Sequence, residues 1–203
     1  AQPGAFMRPV LLNLDAAITV FFLISAFLLY RPFVLANLGG AGRPATPRYA
    51  MRRVVRIVPG YWVALTLAAV VLNLPGIFDL HGVATYYGFM QIYSADTIAG
   101  GIPVAWSLNV EVTFYAFLPL WALGARRLAA RFSRASPMQV ELRALAALAA
   151  LAVAYKLIVL QSGLVGSRVP ALEPALTWLP AYLDAFALGM LLAVLSAARQ
   201  TGW

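Results

Sequence analysis

Glu111 lies inside Ala105-Trp106-Ser107-Leu108-Asn109-Val110-Glu111-Val112-Thr113-Phe114-Tyr115, at the head of an apolar run that continues to Leu123. A run of about 20 such residues crosses a bilayer as a helix. A charge at membrane depth costs at least about 2.5 kcal/mol on insertion scales, so a retained carboxylate faces a protein interior or a wet cavity. Helical spacing puts Ser107 one turn before Glu111 and Tyr115 one turn after it. The three form a polar stripe on an otherwise apolar cylinder. A plainer role is a Glu paired with an Arg of a neighbouring helix to pack a bundle, but intramembrane ionisable groups point to function by default.

A second set of residues complements the first. Arg52, Arg53 and Arg56 stand three and four residues apart in Arg52-Arg53-Val54-Val55-Arg56-Ile57-Val58-Pro59-Gly60-Tyr61-Trp62, which puts them on one side of a helix. Guanidinium groups hold phosphates through bidentate hydrogen bonds. A phosphorylated substrate or carrier fits such a rim, and so do anionic lipid headgroups. Asp15, Arg31, Lys156 and Asp184 are further ionisable groups at or near membrane depth. Such groups pair or line a cavity. The chain has no Cys and one His, His81. A thiol nucleophile, a thiolate metal site and a cluster of His ligands are therefore excluded within it. A lone loop His is ordinarily solvated.

The elements that must position these groups are membrane helices. The 203 residues are 63% hydrophobic and 11% charged, with mean hydropathy +0.82. Soluble domains are about half apolar and a quarter charged. The expected fold is all-α, a polytopic transmembrane helical bundle forming one membrane domain. Its five spans fall at about 10–30, 58–74, 102–123, 144–165 and 178–197, with Arg31-Pro32 closing the first and Pro75-Gly76 the second. The 77–101 connection, rich in aromatics, reads as a loop with a half-buried segment at 83–93. Ser25-Ala26 in the first span and Ala146, Ala150 and Ala154 in the fourth suit close helix approach.

Counting cations fixes an orientation. Arg8 alone precedes the first span. Arg31, Arg43, Arg48, Arg52, Arg53 and Arg56 lie between the first two spans, and no Lys or Arg lies between the second and third. Arg126, Arg127, Arg131, Arg134 and Arg143 follow the third span, Arg168 the fourth and Arg199 the fifth. Basic connections alternate with nearly neutral ones, as the positive-inside rule requires. The start lies outside and the end in the cytoplasm. The net charge of +8 is then an orientation signal that needs no nucleic acid as partner.

Three stretches resemble the membrane acyltransferase-3 family, multi-span O-acyltransferases of sugars and cell-surface polymers. Val20 to Phe33 is similar to its Phe-Phe…Ser-Gly-Phe-Leu segment. Arg52 to Tyr61 is similar to its Arg-Arg-x-x-Arg-Ile-x-Pro-x-Tyr. Trp106 to Tyr115, with Pro119, is similar to its Trp-Ser-Leu-x-x-Glu-x-x-Phe-Tyr. Leu188-Gly189-Met190 after Asp184 looks like a later family segment. The resemblance implies an enzyme of the cell membrane that moves an acyl group, commonly acetyl, from cytoplasmic acyl-CoA to a hydroxyl of a sugar or cell-envelope glycan. It implies donor binding at Arg52, Arg53 and Arg56 and a catalytic site at Glu111 and Ser107, with acyl-CoA as donor substrate and no bound cofactor or metal. The family carries about ten spans and a first-span His considered the base. This chain has five, begins at Ala1, and carries its His in a loop. It reads as a fragment lacking that first span, inactive alone. Ala26 stands where the family has Gly. The alternative is a non-enzymatic transporter or partner subunit with a polar intramembrane cavity.

Overall fold

The computed structural model describes residues 7–38, 42, 44–131, 136–161 and 174–202, with side chains from residue 16 onward. The side chains of Arg8 and Asp15, and residues Arg43, Arg134, Arg168 and Glu173, lie outside it. Helices α1 (Met7–Asn37) and α2 (Thr46–Val71) are followed by the single turn α3 (Leu80–Gly82), then by α4 (Trp106–Arg131), α5 (Pro137–Gln161) and α6 (Leu179–Thr201). Among the described residues all regular structure is helical, and five helices are long and apolar enough to cross a membrane. The chain is an all-α helical bundle and a multi-pass membrane protein.

The outer faces agree with a lipid surrounding. On α2 only Tyr61, Leu65 and Ala69 are buried, one residue per turn. Val63, Leu67, Val70 and Val71 are each more than half exposed. So much unpartnered apolar surface on one helix is what acyl chains cover.

The helices overrun the expected spans. α1 continues past Arg31-Pro32 to Asn37 with Pro32 inside it. α2 begins at Thr46 and passes through Pro59. α4 runs on to Arg131, so Arg126, Arg127 and Arg131 stand on its last turns instead of in a loop. α5 starts at Pro137, not 144, and the expected residues 162–165 lie outside the described ones. Its start has a local cause. The Ser136 Oγ accepts from the Gln139 backbone N–H at 3.2 Å, and the Gln139 Oε1 accepts from the Ser136 N–H at 3.4 Å. This is a reciprocal cap with Pro137 at the first helical position.

Contacts group the chain into two units, the first comprising 1–43, 122–151 and 183–203, the second 44–121 and 152–182. In the first unit, Phe22 of α1 stacks on Phe186 of α6 at 4.8 Å between ring centroids. Gly189 faces the Leu23 carbonyl and Ala26, and a Cβ there would overlap both. The contact that small residues permit is thus supplied by Gly189, which leaves room for the Ala26 methyl. Below it, the buried Glu141 carboxylate accepts from the Tyr30 hydroxyl at 2.6 Å and the Asn37 amide at 2.9 Å. Arg31 donates to the Ser196 Oγ at 3.2 Å and the Gln200 Oε1 at 2.6 Å. The end of α1 is therefore tied by side chains to α5 and α6, which accounts for a helix that survives Pro32.

In the second unit, Tyr61, Leu65, Ala69, Ile77 and Ala105 form a core closed by Tyr86, Ile102 and Leu108. The 77–101 connection is ordered into short turns. The Asp79 side chain caps α3 by accepting from the Gly82 N–H at 2.5 Å. Residues Val83–Tyr87 form a π-helical turn and Gln91–Tyr93 a 3-10 turn. Trp178 donates from its indole to the Ile92 carbonyl at 2.9 Å.

Candidate functional site

The second unit holds a cavity of about 210 Å³ between α2 and α4, lined by Tyr49, Ala50, Arg53, Val54, Ile57 and Val58 from one helix and Val112, Tyr115 and Ala116 from the other. The α2 residues recur at helical spacing, as do those of α4, so each helix gives one stripe. Ala105, just before α4, and Leu108 of α4 pack in the Tyr61 and Leu65 core, whereas Tyr115 meets Arg53 and Tyr49. The two helices therefore run antiparallel here. Along their common axis the cavity has a polar end, at Tyr49, Arg53 and Tyr115, and an aliphatic end, at Val54, Ile57, Val58 and Val112.

The polar end has a backbone origin. Pro119 has no N–H to give, so the Tyr115 carbonyl lacks its partner four residues on. The Tyr49 hydroxyl supplies a long contact to that oxygen, 3.5 Å. The Arg53 guanidinium lies over the Tyr115 ring, 5.7 Å from Cζ to centroid. That is a cation–π distance, and such contacts gain when desolvated. Its Nε is buried without a hydrogen-bond partner among the described residues. The Tyr115 hydroxyl stands within electrostatic reach of the Glu111 carboxylate and the Arg53 guanidinium. Glu111 itself is 3% exposed. The assembly is a cation, a phenol and a buried carboxylate, with the cation and the phenol at the cavity wall.

The residues singled out in the sequence divide clearly. Arg53, Glu111 and Tyr115 come together. Ser107 does not join them: its hydroxyl donates to the Val104 carbonyl at 3.0 Å, a contact local to the start of α4. Arg52 and Arg56 are exposed and absent from the cavity wall. Of the three, Arg53 is the one that lines the cavity. His81 is exposed on α3. Lys156 on α5 and Asp184 on α6 are half-buried.

Two groups escaped the sequence reading. Asn109 is 1% exposed, and neither its amide nitrogen nor its oxygen has a hydrogen-bond partner among the described residues. It lies on the α2-facing stripe of α4, one turn from Ala105 and three residues before Val112. Buried amides are ordinarily satisfied, so an orphaned one at a seam marks a place for water or a ligand group. No pattern in the sequence singled it out. Glu141 was missed because it fell outside the apolar run. The Ser136-Pro137-Met138-Gln139 cap was the signal that would have put it on a helix.

Comparison of the chain with protein-family models, with curated proteins and with solved structures gives no match.

Proposed function

We propose that the chain is the donor-binding part of a membrane O-acyltransferase. It takes an acyl group from acyl-CoA and passes it to a hydroxyl of a sugar or cell-envelope glycan. One observation carries the reading. Two of the stretches that resemble the acyltransferase-3 family, far apart in sequence, meet in space: Arg53 of one lies over Tyr115 of the other at 5.7 Å, on the wall of one cavity. In this account Arg53 holds an anionic part of the donor, since a guanidinium is the side chain suited to phosphate. Glu111 fixes the Tyr115 hydroxyl and so orients Arg53; it acts as a positioning residue. The acceptor oxygen forms the ester bond as the thioester C–S bond breaks, and the acceptor's proton leaves with CoA as the thiol. Such a step needs a base and an oxyanion stabiliser; neither role is assigned to Ser107. The Arg-rich connections 31–56 and 126–143 face the cytoplasm of a cell membrane, where the donor is made.

Membranes from cells expressing the intact gene provide the test, read as thiol release from acyl-CoA. Arg53→Ala is expected to lower kcat/KM about ten- to a hundredfold, the loss of one charge-assisted contact. Glu111→Gln is expected to lower it less. Parental rates in both variants would remove these residues from the site, and no acyl-CoA-dependent thiol release at all would remove the acyltransferase reading.

A further inference from the structure

The cavity between α2 and α4 is too large and too aliphatic for a two-carbon group. An apolar cavity of about 150 Å³ takes the six carbons of benzene. By that scale about 210 Å³ holds roughly eight carbons. Six of its nine lining residues are Ala, Val or Ile: Ala50, Val54, Ile57, Val58, Val112 and Ala116. The pocket is open along Ala50, Val54 and Ala116, which are exposed, and an acetyl group would cover only a small part of its aliphatic wall. The polarity is graded along the helix axis. Arg53, Tyr49 and Tyr115 stand at one end, nearest the exposed Arg48 and Arg52 on the first turns of α2. That geometry admits an amphiphile with its anionic part toward the arginines and its chain pointing away from them, between Val58 and Val112.

We propose that this cavity is an acyl-chain pocket that selects a medium-chain donor, about six to eight carbons long, with Arg53 at its mouth and Val58 and Val112 at the end its chain reaches. The proposal rests on the acyltransferase reading for the identity of the carrier, CoA. It goes beyond that reading in assigning chain length to named residues. Each methylene added within the capacity of the pocket tightens binding about fourfold, and further ones add nothing.

The test separates the pocket from the reaction. Thioether analogues of acyl-CoA cannot transfer their chain, so their binding to the protein in nanodiscs reports the pocket alone; thioesters of the same lengths report turnover. The expected result is affinity rising from two to about eight carbons and then levelling. The eight- to two-carbon affinity ratio should fall at least tenfold in Val112→Phe and, independently, in Val58→Phe. A ratio near one in the parent, or one that neither substitution moves, overturns the proposal. So does affinity that climbs steadily to sixteen carbons equally in empty nanodiscs, which is partition into lipid. Chain-length-selective thioether binding without any thioester consumption would leave the pocket standing and overturn the transferase reading instead.

Discussion

Two buried polar side chains show how differently one residue can matter. Glu141 has both carboxylate oxygens engaged, by Tyr30 and Asn37, whereas Asn109 has neither amide atom engaged among the described residues. Removing a partner from a buried hydrogen bond costs about 1–3 kcal/mol, but replacing an unsatisfied polar group by an apolar one of similar shape is neutral or stabilising. Glu141→Ala should therefore lower the thermal stability of the purified protein. Asn109→Leu should hold or raise it while reducing acyl-CoA turnover. Stability lost equally in both would show that Asn109 is satisfied and structural. At this scale the sequence was informative about type and poor about partners. A carboxylate inside an apolar run announced Glu111. Nothing in the spacing of Ser107 predicted that its hydroxyl would turn back to Val104, because a hydroxyl near a helix start has a backbone carbonyl within reach. The three arginines could be placed on one side of a helix, but spacing alone did not show that Arg53 is the one at the cavity wall.

Between elements, what decides is how close two helices can come. In a bilayer there is no hydrophobic drive to join them, so close packing does the work. Gly189 lets α6 approach the Leu23 carbonyl and Ala26 of α1. Gly189→Val would force the helices apart. Overpacking of this kind costs about 1–3 kcal/mol, and heat denaturation in detergent should show it as a clear loss. An unchanged transition would mean that α1 and α6 do not pack at this point. The number and order of spans were legible because a run of apolar residues has few other readings. Their ends were not. Hydropathy records where lipid is tolerated, whereas a helix ends where its hydrogen bonding ends. The Arg-bearing last turns of α4 and the capped start of α5 are helix outside the apolar runs, and α1 continues through Pro32 into the apolar Phe33-Val34-Leu35-Ala36. Interior prolines at 32, 59 and 119 misled where a break was expected and informed where one was not: Pro119 is the reason the Tyr115 carbonyl is available at the cavity.

For the whole molecule, the proposed orientation has the 31–56 and 126–143 segments in the cytoplasm, on the alternation of basic and neutral connections. The absence of Cys makes this simple to check with single introduced thiols. Asp96→Cys should react with a membrane-impermeant maleimide added outside intact cells and Arg127→Cys should not; the reverse pattern would invert the topology. The same property gives the most direct measurement of the central claim, that acyl-CoA occupies the cavity between α2 and α4. An Ala116→Cys protein in open membranes is alkylated by N-ethylmaleimide with and without a non-transferable acyl-CoA thioether, and Asp96→Cys serves as the reference. The account predicts that the thioether slows alkylation at position 116 several-fold and leaves position 96 unaffected. Equal rates at position 116 with and without saturating thioether would contradict it.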